Sequence, residues 1–183
     1  MVESAKYLPA MEQTPTRAET AAPRVRTWLY FMAFLVFCMV IVGGATRLTN
    51  SGLSITEWQL MLGAIPPLNE TDWLAAFDKY KLIPQFKSFN QGMSLVDFKF
   101  IYWWEWTHRF LGRVIGVAFA VPLAYFAATR RLEKRILPLL FLLFALGGAQ
   151  GALCWYMVSS GLVDRVDVSE YRLEAHLPLP QRL

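Results

Sequence analysis

Four ionisable side chains, those of Glu105, His108, Arg109 and Arg113, lie close together in one long apolar stretch of the sequence. A charged group near the centre of a bilayer costs about 2.5–3.5 kcal/mol, so such residues usually serve a function. At helical spacing the first three lie on one face of a helix, and Gly112 and Gly116 extend that face by one and two turns. The pattern predicts a polar, sterically open stripe on a membrane helix.

These residue types suit a flat, charged ligand that contains iron. A neutral imidazole is a good axial ligand for haem iron, and a guanidinium fork fits the carboxylates of haem propionates. His108 is therefore the candidate iron ligand, Arg109 and Arg113 are candidate propionate ligands, and Glu105 is placed to accept a proton or position a water. A structural alternative stays open: Glu105 and Arg109 neutralise each other, and His108 is one more packed polar side chain.

His176 is the other histidine of the chain. Near the start of an expected fourth span, it would lie on the same outer side as His108, where two imidazoles ligate one haem from opposite faces. An interfacial histidine at a loop edge is the alternative. A di-iron carboxylate bundle needs two Glu-x-x-His motifs, and Leu173 stands where the second glutamate would be.

Membrane-spanning helices are the elements that must position these residues. The sequence is 55% hydrophobic and 17% charged, whereas soluble domains carry roughly 25% charged residues. Its apolar residues collect in three runs, at about 27–46, 98–128 and 136–158. About 20 apolar residues cross a bilayer core of ~30 Å. We therefore expect an all-α membrane protein, a transmembrane helical bundle with three complete spans and the start of a fourth.

Basic residues set the expected orientation of these spans. Arg24 and Arg26 precede the first run, and a basic cluster at 130–135 joins the second run to the third. This is the positive-inside pattern, so the net charge of +4 is assigned to membrane orientation and not to a nucleic-acid partner. Acidic residues near the N-terminus argue against a mitochondrial transit peptide. We expect a multi-pass protein of a bacterial inner membrane with a cytoplasmic N-terminus.

The segments outside the spans carry weaker signals. Residues 1–26 contain three prolines and are expected to form a disordered cytoplasmic N-terminus. The long loop at 47–97 should hold an amphipathic helix that Asp72 caps and that ends at Lys81. Residues 178–183 include two prolines, which would end any helix, and are interpreted as a truncated tail.

Small residues occur inside the spans as well. Cys38 and Cys154 are interpreted as small apolar packing residues. The Gly147–Ala152 run is expected to let helices pack closely; the alternative is that it leaves room for a porphyrin edge.

Several strings in the chain resemble the haem A synthase family. They are Gly43–Ile55, Gly63–Leu68, Asn90–Ser94, Trp104–Arg113, Gly147–Leu153 and Tyr171–His176. The resemblance extends over about residues 27–177 and corresponds to the N-terminal half of that family. The first outer loop lacks a cysteine pair, which is typical of the proteobacterial and mitochondrial branch.

The resemblance implies an eight-helix fold in two four-helix halves, each with a histidine pair. It implies a substrate haem in the first half, a haem b cofactor in the second, and oxidation of the C8 methyl of haem O to the formyl of haem A for cytochrome c oxidase assembly. By position Glu105 matches the family's essential acid, and His108 and His176 match the substrate-side pair. Arg47, Arg109 and Arg113 join them as expected haem-binding residues.

Because only one half of such an enzyme is represented, we expect this chain to be inactive alone. The alternatives are a non-catalytic membrane haem-binding or assembly module and a non-functional gene fragment. The expected partners are haem O and membrane lipid, with haem O synthase, cytochrome oxidase assembly factors and a second copy of the chain as further candidates.

Overall fold

The computed structural model describes residues 16–57 and 65–161. Their secondary structure is helical: α1 (Arg17–Leu48), α2 (Glu70–Lys81), α3 (Pro84–Phe89), α4 (Leu95–Ala128) and α5 (Leu137–Gly161). Helices α1, α4 and α5 are long and apolar enough to cross a membrane. This confirms the expected all-α membrane fold with three spans. The expected fourth span and the tail at 178–183 lie outside the described residues.

Helix α4 is the central element, since it contacts α1, α2 and α5. Two hydrophobic clusters hold these contacts. We call the end of the bundle where α1 begins the inner end and the opposite end the outer end. The cluster at the inner end joins α1, α4 and α5 through Val25, Trp28, Met32, Leu35, Leu123, Phe126, Leu132 and Leu140. The cluster at the outer end packs α2 onto α4 and α5 through Leu53, Trp73, Phe77, Tyr80, Ile83, Phe98, Ile101, Tyr102 and Val158.

One hydrogen bond ties α1 to α4 at a proline in the inner half of the bundle. The Trp28 indole N–H donates to the Ala118 carbonyl at 2.9 Å. Within a helix that carbonyl would accept from the residue four positions later, but that residue is Pro122, which has no N–H. Trp28 therefore supplies the hydrogen-bond donor that Pro122 lacks.

Helix α1 begins earlier than the sequence suggests. The expectation of a disordered segment up to residue 26 is wrong from Arg17 onward, because Thr16 and Glu19 form a reciprocal capping box that starts the helix. Ala21 and Val25 are buried, and burial of this apolar face offsets the cost of Pro23 inside the helix.

The connection between α1 and α4 contains regular structure, including helices α2 and α3. At the end of α1 the left-handed conformation of Asn50 (φ 51°) lets the Ser51 N–H donate to the Thr46 carbonyl at 3.0 Å, and the chain turns back along α4. The cap of α2 is Asn69, whose side chain accepts from the Asp72 N–H at 2.8 Å, so the expectation that Asp72 is the cap is wrong. The short helix α3 was not expected.

The small residues of α5 are not packed within the described part of the chain. A side chain built on Gly147, Gly148 or Gly151 would meet no described atom within 4 Å, so the expected close packing is not seen there. Cys38 and Cys154 are free thiols and half-buried, as expected of packing residues.

Candidate functional site

The carboxylate of Glu105 lies three turns into α4 and is only 3% exposed. Its Oε2 atom accepts hydrogen bonds from the Ser54 hydroxyl and from the Ile55 backbone N–H, both at 2.7 Å. Its Oε1 atom accepts from Arg109 Nη2 at 2.5 Å. A buried carboxylate needs such donors, because desolvation would otherwise make its charge very costly. Both carboxylate oxygens of Glu105 therefore have hydrogen-bond donors.

Arg109 completes this arrangement from the next turn of α4. Its Nη2 atom also donates to the Ile55 carbonyl at 3.0 Å, and Nη1 donates to the Glu57 carbonyl at 3.2 Å. The Glu105 and Arg109 side chains are 3% and 7% exposed. The ion pair therefore bonds the Ile55 N–H and the carbonyls of Ile55 and Glu57, in the segment that follows α1. We call residues Ser54–Glu57 the outer segment.

Sequence reasoning did not assign a role to the outer segment. Ser54 is 2% exposed, and its hydroxyl also lies 3.3 Å from the Ile101 carbonyl of α4. The only signal was that Ser54 and Ile55 end the long string that begins at Gly43. Their contact with Glu105 joins residues about 50 positions apart, which no local periodicity reveals.

His108 lies on the α4 face that meets α1. A Cβ atom placed on Gly43 of α1 would lie 2.9 Å from His108 Cε1 and 3.2 Å from Nδ1. His108 Nδ1 is buried, while the residue as a whole is half-buried. The imidazole therefore lies edge-on against the α1 backbone, about one helical turn from the Glu105 carboxylate in the sequence of α4.

Comparison with known proteins places this chain in a family. Residues 26–180 match the COX15-CtaA family of cytochrome oxidase assembly proteins. The chain belongs to this family. It is 60% identical over 152 residues to a heme A synthase of Parvibaculum lavamentivorans. It is also 57% identical over 171 residues to a heme A synthase of Azorhizobium caulinodans.

The COX15-CtaA relatives are longer than this chain. The two matches cover 83% and 93% of the chain but only 44% and 48% of the relatives. The chain therefore spans less than half the length of these relatives, which agrees with the expected correspondence to one half of the family. No solved structure matches the chain.

The other expected site residues of this COX15-CtaA chain fall at several places. Arg47 is exposed in the last turn of α1, four residues after Gly43. Arg113 is half-buried on α4, one turn inward from Arg109, with its Nη1 atom buried. His176 lies outside the described residues. The structure thus brings Glu105 and Arg109 into direct contact, whereas the roles expected of the histidines and of the arginines toward a ligand stay predictions.

The described side chains are compatible with a haem. Within residues 16–57 and 65–161, no group of three His, Cys, Asp or Glu side chains comes together as a metal-ion site requires. Haem iron needs only one or two axial protein ligands, because the porphyrin supplies the rest. The cradle that Gly43 leaves for the His108 ring is compatible with a single imidazole held in a fixed orientation for such a ligand.

Proposed function

We propose that this chain is the substrate-haem half of a haem A synthase, which oxidises the C8 methyl of haem O to a formyl group for cytochrome c oxidase assembly. The observation that carries the proposal is the pairing of an oriented imidazole with a buried carboxylate one turn away on the central helix of a COX15-CtaA chain. Relatives that are 57–60% identical bear the name heme A synthase, which supports the same reaction.

In this proposal His108 and His176 bind the iron of the substrate from opposite faces. A bis-imidazole site fixes the porphyrin plane and therefore the position of its methyl groups. Arg47, Arg109 and Arg113 are the basic groups that we assign to the propionates, for which guanidinium groups are well shaped. Arg47 is the most exposed of the three. Arg109 already donates to Glu105 and to the outer segment, so its contribution is also to position that carboxylate.

Glu105 is the proposed proton acceptor. Converting a methyl to a formyl group with oxygen from water releases protons, and a buried carboxylate is able to take them up. Oε2 would give up one of its two donors to do so, and the Ser54 hydroxyl at 2.7 Å is the one that can rotate away. The Ile55 N–H and Arg109 would then still hold the side chain in place.

The whole reaction needs an electron path, which we assign to a haem b cofactor in the portion of the relatives beyond the match. The orientation that we propose places the N-terminus in the cytoplasm of a bacterial inner membrane. It is supported by the structure, because Val25 and Leu132 share the inner cluster and bring the two basic segments near them to one end of the bundle. Haem O synthase, oxidase assembly factors and a second copy of the chain remain candidate partners.

The test is haem analysis of the full chain purified from cells that accumulate haem O. We expect haem O to co-purify with the wild-type chain and to be lost from His108→Ala, while Lys87→Ala, at an exposed position on α3, retains it. Formation of haem A that disappears in Glu105→Ala would show that this chain is itself catalytic. Absence of bound haem from the wild-type chain would contradict the proposal.

A further inference from the structure

Gly43 of α1 lies against His108 of α4, the candidate iron ligand. Any Cβ at this position would come within 2.9 Å of His108 Cε1, a distance that real Cβ atoms essentially never show. No other described atom would lie within 4 Å of it apart from Nδ1 of the same ring. A side chain at this position would therefore collide with one described side chain, the imidazole of His108.

Contacts on both sides of Gly43 fix the spacing of the two helices. One turn outward, the Thr46 hydroxyl lies 3.3 Å from the Trp104 carbonyl of α4. One turn inward, the Met39 methyl lies 3.5 Å from the position of a Cβ on Gly112. Because α1 is held against α4 above and below Gly43, an added methyl group would be accommodated by rotation of the ring more easily than by separation of the helices.

We propose that Gly43 is a positioning residue for His108. The missing Cβ lets the imidazole place its Cε1–Nδ1 edge against the α1 backbone, while Nε2 is not among the atoms within 4 Å of the Cβ position. In this arrangement Nε2 is the nitrogen that would bind iron. The contact itself is independent of the proposed function, and only its consequence for haem binding rests on that function.

Gly44 provides a matched control within the same sequence. A Cβ on Gly44 would meet no described atom within 4 Å. Replacing either glycine with alanine raises the helix propensity of α1 by the same amount. A difference between Gly43→Ala and Gly44→Ala therefore reports the contact with His108 and not the general effect of removing a glycine from the helix.

The first measurement is NMR of histidine-labelled full chain in detergent micelles, with His176→Gln used to assign the two rings. We expect a nuclear Overhauser effect between His108 Hε1 and the Gly43 Hα protons in the wild-type chain. Gly43→Ala should shift the His108 ring resonances, and Gly44→Ala should leave them in place. No Overhauser effect in the wild-type chain, or equal shifts in the two variants, would overturn the proposal even if Gly43→Ala folds poorly.

The second measurement is titration of the same proteins with ferric haem b as the probe. Changes in groups that orient a metal ligand lower metal affinity by roughly 10- to 100-fold, so we expect a Kd about tenfold higher or more for Gly43→Ala than for Gly44→Ala, with loss of low-spin haem absorbance. Equal affinities would show that Gly43 does not position the ligand. If the wild-type chain binds no haem, the proposed function fails, whereas the NMR comparison still decides the contact.

Discussion

Replacement of Arg109 by alanine should loosen the outer segment, and the size of the effect follows from the contacts. The change removes the ion pair to Glu105 and two hydrogen bonds to backbone carbonyls of that segment. It also leaves the Glu105 carboxylate, 3% exposed, without its cation. Breaking a buried ion pair by removing one partner costs about 3–5 kcal/mol. Opening of the segment should therefore become roughly a hundred to a few thousand times more frequent.

Hydrogen–deuterium exchange of the full chain in lipid nanodiscs measures this opening. The Ile55 N–H donates to Glu105 at 2.7 Å and exchanges when the outer segment leaves α4. Lys79→Ala is the matched control, because Lys79 pairs with Glu57 of the same segment at 2.5 Å while the two side chains are 53% and 50% exposed. An exposed pair contributes about 0–1 kcal/mol, so Ile55 exchange should accelerate by no more than roughly fivefold.

The Leu140 amide, which donates to the Ile136 carbonyl at 3.0 Å just before α5 and lies in the inner cluster, reports opening of the whole bundle. If Arg109→Ala accelerates Ile55 exchange no more than Lys79→Ala does, the buried pair does not hold the outer segment. If Ile55 and Leu140 accelerate equally, the pair stabilises the bundle as a whole, and the local role inferred from its contacts is wrong.

Two further substitutions test the packing around the site. Trp28→Phe should destabilise the bundle by about 1–3 kcal/mol, because the Ala118 carbonyl loses its hydrogen-bond donor. The cost should be smaller in a Pro122→Ala background, where a backbone N–H is restored. If denaturant unfolding shows that the costs of the two substitutions are additive, this explanation is wrong. Burial raises the pKa of Tyr80 above its usual value of about 10, although the hydrogen bond from Asn90 opposes the shift. Burial therefore favours the neutral phenol, and the stability that it contributes should be lost as pH rises above about 10. Tyr80→Phe should lower Tm at neutral pH but flatten its fall in alkaline buffer, and an unchanged pH profile would refute the assignment.

Hydropathy was enough to find the three spans, because apolar length is the dominant constraint on a membrane helix. Hydropathy misplaced the start of α1, because the first turns of this helix are polar and resemble a disordered segment. Only the reciprocal hydrogen bonds of Thr16 and Glu19 mark the helix start. The short helix α3 was missed for a different reason. It has six residues and no side-chain cap, and its Gln85 is held by tertiary bonds to Tyr80 and to the Asn50 carbonyl.

The same distinction applies to the candidate site, where contacts within one helix were predicted and contacts between distant segments were not. Helical spacing alone placed Glu105 and Arg109 as neighbours, and the structure shows them paired. The partners that complete the pair come from the outer segment, and the cradle of His108 comes from α1. Both depend on how distant parts of the chain dock onto α4, which spacing within one helix cannot specify.

The structural and chemical interpretations of Glu105 are therefore not alternatives. Irregular backbone that is buried in a protein needs hydrogen-bond partners for its polar groups. The outer segment meets that condition through Glu105 and Arg109, which bond its N–H and its carbonyls. In return, the segment supplies the donors that hold the carboxylate in place, one turn before His108 on α4. The same bonds that make a buried charge tolerable thus also set the position from which Glu105 would accept a proton.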